Sequence, residues 1–173
     1  MDGAEFRALI SDPRLQLLFD YWDRIKQDRI MPDWADIRPE EIAPVLPVIW
    51  AWRFDENGDF RLRLAGESIA EVLEVNIRGK TPFDLYGKAA AEGIDERFRK
   101  VIAEPTCSFS AGPVNRDGIA VGFGQRLVLP YEDRKSARRG VIGASTLEKY
   151  DRANPADSTL YELVGNEYFL PLP

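Results

Sequence analysis

The chain has 173 residues, 45% hydrophobic and 30% charged, enough for one domain with a sizeable core and short for two. With 23 Lys and Arg against 29 Asp and Glu its net charge is −6, which argues against a nucleic-acid partner, since binders of phosphate backbones carry a basic face. It has no histidine and one cysteine, Cys107, which excludes a Ser–His–Asp triad, a histidine-ligated haem or zinc, histidine phosphotransfer, an internal disulfide and a thiolate metal cluster.

Residues 1–12 read as a polar lead-in, without the basic start and apolar stretch of a signal peptide. No apolar run approaches the ~20 residues of a membrane helix. A cytoplasmic location with no membrane partner is therefore expected. Asp12 before Pro13 is a helix start, an N-cap carboxylate followed by proline at the first helical position. The spacing of Leu15, Leu18, Phe19, Trp22 and Ile25 predicts a helix over 13–28 with one apolar stripe. Two readings of that stripe stay open: it packs on a sheet, or Leu15, Leu18, Trp22 and Ile25 pair with a second copy to make a homodimer.

Four prolines make 31–47 irregular, with at most a helical turn at 39–42. The strand expected at 48–54 is aromatic and β-branched. The turn 55–59 carries Asn57–Gly58, and the second strand spans 60–66. In that strand Phe60, Leu62 and Leu64 alternate with Arg61 and Arg63, so one apolar face is expected. A short helix follows at 67–74, a loop around Gly79–Pro82, and a longer helix at about 87–103 with Ile94, Phe98, Val101 and Ile102 on one side. Strands are expected over 106–115, 119–130 and 139–147, with a turn at Asp117–Gly118 and a solvated charged turn holding Arg134, Lys135, Arg138 and Arg139. Cys107 reads as a small buried apolar residue in the first of these. Residues 148–173 read as a tail: a docking helix, a self-association strip or a frayed end. The whole is an α+β fold, a five-stranded antiparallel sheet with an N-terminal helix and helices inserted between strands two and three.

This order, and a set of residues distributed along it, resembles the PAS superfamily. The features are Tyr21–Trp22, Met31–Pro32, Asp36–Ile37–Arg38–Pro39–Glu40–Glu41–Ile42, Leu46–Pro47, Arg63–Leu64–Ala65–Gly66, Gly79 with Phe83–Asp84–Leu85, and Leu127–Val128–Leu129–Pro130. Together they cover about residues 15–147 and are similar to a bacterial PAS-like branch, common in alphaproteobacteria, once catalogued as a domain of unknown function. The domain is accordingly bounded at 13–147. The resemblance implies a non-enzymatic sensory or adaptor module in bacterial signalling, acting on other signalling proteins, with a pocket between the sheet and the middle helices.

Trp50, Trp52, Phe83, Phe98 and Phe123 are the candidate pocket walls, with Arg63 and Arg126 as anchors if an unidentified small-molecule anion binds. The same aromatics would also serve as plain core, and the arginines as surface ion pairs. No cofactor is expected: Cys107 lacks the Asn-Cys-Arg context of a flavin photosensor, and no histidine is present for haem. Neither catalytic nor metal-ligating residues are identified. The rival is a cone-shaped enzyme or binding fold of the nuclear-transport-factor type, with Glu67, Asp84 and Tyr86 as its carboxylates and tyrosine; their spacing shows no constellation. Strand order separates the two, because the PAS arrangement sets the 48–66 hairpin centrally, beside the last strand.

Overall fold

Hydrogen bonding joins seven strands into one antiparallel sheet flanked by helices, in a computed structural model that describes residues 1–73, 77–116, 119–149, 161–163 and 165–173. The α-helices are α1 (Gly3–Leu9), α2 (Pro13–Lys26), α3 (Glu67–Leu73), α4 (Pro82–Leu85) and α5 (Lys88–Ala103). The strands are β1 (Ile49–Phe54), β2 (Phe60–Ala65), β3 (Thr106–Arg116), β4 (Ile119–Asp133), β5 (Arg138–Lys149), β6 (Tyr161–Leu163) and β7 (Asn166–Pro171). Their order is β2-β1-β5-β4-β3-β6, with β7 also on β3. β1 lies beside β5 as expected, but the 48–66 hairpin is not central: it closes one end of the sheet, with β2 at the edge. The sheet exceeds the expected five strands by β6 and β7.

Local chemistry explains most boundaries. Asp12 caps α2 by accepting from the backbone N–H of Arg14, and Pro13 sits at the start. Asp55 nucleates the β1–β2 turn, its carboxylate accepting from the N–H groups of Asn57 and Asp59 at 2.9 and 3.0 Å, while Gly58 takes the left-handed φ of 84°. The 31–47 region is largely turns of 3-10 helix, Trp34–Asp36 and Pro39–Val48, the second kinked at Ile42. The β2 edge is covered: Leu62 exchanges backbone hydrogen bonds with Gly79 and Lys80.

The sheet has an apolar cluster on each side. On the outer side α1 and α2 bury Phe6, Leu15, Leu18 and Trp22 against Ile49, Ala51, Phe109, Leu127, Leu129 and Ile142. On the inner side α5 buries Phe98, Val101 and Ile102 against Trp50, Trp52, Phe60, Leu62, Val128 and Val141. The two-residue period of β1 therefore sends its tryptophans inward and Ile49 and Ala51 outward.

Four expectations need correcting. The lead-in is a helix: Asp2 and Glu5 form a capping box, and Phe6 is fully buried against the rings of Phe19 and Phe109. The stripe proposed for self-association faces the sheet. Leu15, Leu18, Trp22 and Ile25 are all buried, and the Trp22 indole N–H donates to the Pro130 carbonyl at 2.8 Å. The face of β2 is not continuous, because a bulge between Ala51 and Trp52 in the β1–β2 register turns Leu64 to the outer cluster while Phe60 and Leu62 stay inside. The C-terminal segment docks as a strand, β7, which pairs with β3 from Thr106–Pro171 to Ala111–Asn166. The predicted 117–118 turn, the end of the 67–74 helix and residues 150–160 and 164 of the tail lie outside the described residues.

Candidate functional site

A cavity of about 370 Å³ opens on the inner side of the sheet, between α3, α5 and strands β1, β2, β4 and β5. Its walls are apolar. Trp50 and Trp52 project from β1, Leu62 from β2, Ile69 from α3, and Ile94 and Phe98 from α5. The rings interlock, with Phe98 5.5 Å from Trp50, 6.0 Å from Trp52 and 5.3 Å from Phe60, centroid to centroid. The indole N–H of Trp50 donates to the Ser145 hydroxyl at 2.9 Å, which fixes the ring as a wall.

Polar groups join the lining from β4 and β5 and from the helical segments. Arg126, Tyr86, Ser145 and Thr146 line the cavity, with Arg14, Glu71 and Lys149 also contributing. Arg126 faces inward because it has the same strand parity as Val128 of the inner cluster. Burial and the nearby charge of Arg97 lower its pKa, yet a guanidinium stays protonated in a protein. Burial also raises the pKa of Tyr86, so its hydroxyl is a neutral donor. The arrangement can hold a ligand with an apolar body and a polar end. Among the described residues no group of three His, Cys, Asp or Glu could hold a metal.

Of the seven residues proposed from sequence, Trp50, Trp52, Phe98 and Arg126 meet at the cavity. Arg63, Phe83 and Phe123 do not. Alternation from the inward Leu62 sets Arg63 on the outer side, where its guanidinium lies 3.9 Å from the Trp34 ring centroid and donates to Asp133 at 2.8 Å. Phe83, on the four-residue α4, is 53% exposed. Phe123 is 40% exposed, two residues before Gln125, where the chain entering α2 makes its contact with β4. Leu62, Ile69, Ile94, Ser145 and Tyr86 were missed as pocket residues. Helical spacing flagged Ile94, and strand alternation flagged Leu62. Ser145 and Tyr86 carry no local signal, because β-sheet register and the α4–α5 turn bring them in.

The PAS domain family profile matches residues 10–146. Among solved structures, the chain is similar to the PAS domain of BvgS from Bordetella pertussis, at 20% identity and TM-score 0.48 over 62% of this chain and 81% of that one. It is also similar to VqmA from Vibrio cholerae in a ligand–DNA complex, at 19% identity and TM-score 0.43 over 64% of this chain and 51% of that one. VqmA bound to DPO gives 19% identity and TM-score 0.43, over 65% and 58%. The chain thus spans about half the length of these VqmA chains. No curated protein matches it. Among the described residues no helix is long and apolar enough to cross a membrane. By the match over 10–146, four-fifths of its length, the chain belongs to the PAS domain family.

Proposed function

We propose that the chain is a non-catalytic sensory or adaptor module whose inner cavity takes a small molecule and whose output is contact with another signalling protein. The cavity of about 370 Å³ between the tryptophan-lined sheet and α3 and α5 carries this reading, because its volume lies in the range of ligand pockets. The family match supports a signalling role. The acidic balance, net −6, favours a protein partner over nucleic acid.

Native mass spectrometry of the chain purified from its own host, compared with the denatured mass, tests the ligand. A reproducible added mass supports a sensor. The bare mass from folded protein overturns ligand sensing and leaves an adaptor.

A further inference from the structure

Arg126 and Ser145 of the cavity lining belong to a row of side chains across the sheet. Register sets Glu167 of β7 opposite Ser110 of β3, Ser110 opposite Arg126 of β4, and Arg126 opposite Ser145 of β5. Cross-strand partners share a face, so these four side chains stand on the inner side together. Neighbouring strands are about 4.8 Å apart, which starts Glu167 about 10 Å from Arg126. Glu167, the carboxylate of the row, is already engaged: Arg97 of α5 pairs with it, and the buried Ser108 hydroxyl donates to it at 2.9 Å. Arg14, the other arginine of the lining, is closed off by Asp12, which accepts its Nη2 at 2.8 Å. Glu71 and Lys149 stand exposed. Among the described residues Arg126 therefore has no carboxylate partner, although most of its surface is covered.

Its surroundings supply donors. The Ser145 hydroxyl accepts from Trp50 and so keeps its own proton for a second partner. The neutral Tyr86 hydroxyl is another donor on the lining. A covered cation with donors beside it and aromatic walls beyond is complementary to an anion on an apolar body.

Resting on the pocket reading above, we propose that the cavity takes an organic monocarboxylate, its carboxylate on Arg126 with Tyr86 and Ser145, and its ring or chain against Trp50, Trp52 and Phe98. The anion supplies the countercharge that Arg126 lacks among the described residues.

Calorimetric titration with 2-naphthoate and with its neutral match 2-naphthamide tests this, on the wild-type chain and on Arg126→Gln and Arg126→Lys. Naphthoate should bind the wild type about 10- to 100-fold tighter than the amide, the scale of a charge-assisted hydrogen bond. Arg126→Gln should erase that preference, and Arg126→Lys should keep part of it. In the absence of anion Arg126→Gln should melt no lower than wild type, since it removes a covered charge; naphthoate should raise the melting temperature most for the wild type, less for Arg126→Lys, and no more than naphthamide does for Arg126→Gln. Equal affinity of the wild type for both probes would overturn the anion assignment and leave the pocket standing. Tight naphthoate binding unchanged in a folded Arg126→Gln would do the same. Failure of both probes to bind at about 1 mM would sink the pocket and the assignment together.

Discussion

Trp50 lies directly opposite Gly143 in the β1–β5 register, so close that a Cβ at position 143 would stand 2.5 Å from its indole ring. The same Cβ would come within 2.2 Å of the Leu127 carbonyl oxygen, which cannot swing away. Glycine is therefore the residue that lets the largest wall of the cavity lie flat on the sheet. Gly143→Ala should cost about 1–3 kcal/mol or more by overpacking, read as a lower urea midpoint at unchanged slope. An unchanged midpoint would show that the ring and strand relax freely.

Leu18 is 1% exposed within the outer cluster. Leu18→Ala should destabilise the fold by about 2–5 kcal/mol and leave the sedimentation coefficient of the folded protein as it was. A dimer that dissociates in this variant while its stability holds would restore the face of α2 as a subunit contact.

The hydrogen bond from Trp22 to the Pro130 carbonyl ties α2 to β4 inside the core, and the tryptophan is 2% exposed. Trp22→Phe keeps a ring there but strands a covered acceptor. A loss of about 1–3 kcal/mol is expected by thermal or chemical unfolding. A loss much below that would mean that water reaches the carbonyl.

The Asp133 carboxyl is buried, and burial alone would raise its pKa. The hydrogen bond from Arg63, one from the Ser136 backbone N–H and the guanidinium charge outweigh this and hold it below the ordinary 3.8. A lowered folded-state value means that the contribution to stability is complete above about pH 3.8 and is lost as the pH falls through the folded value. Asp133→Asn should therefore melt well below wild type at about pH 7, and the gap should shrink as the solution is acidified past about pH 3.8. A gap of constant size would assign the effect to shape rather than charge.

Cys107 is fully buried, and burial pushes its thiol far above the usual range. Native protein should resist a thiol-specific reagent such as DTNB at about pH 8 and react stoichiometrically in denaturant. Fast labelling of the native chain would reveal an opening of the β3 region.

Periodicity carried much of the fold in the sequence. The α2 stripe, the Asn57–Gly58 turn, the inward tryptophans of β1 and the buried face of α5 follow from local spacing and turn chemistry. What escaped was set by contacts remote in sequence. A single-residue bulge turned Leu64 over, which no alternation pattern in β2 discloses, whereas the outward side of Arg63 follows from its place next to Leu62. Helix α1 has seven residues, too few for a clear period, and shows its purpose only in the contact of Phe6 with Phe109. The short β7 is a strand because β3 offers it an edge. The residues read from β1 and α5 line the cavity because both elements are regular. Phe83 and Phe123 failed because aromatic identity says nothing of which side of the structure a residue meets.

Helix α5 is clasped at two points along its length. Arg97 reaches Glu167 on β7, and Arg99 reaches the Gly58 carbonyl of the β1–β2 turn at 2.7 Å. Under the proposed function, a shift of this helix by a bound molecule would pull on the hairpin tip and on the C-terminal strand together, so an event in the interior would be written on two separated parts of the surface at once.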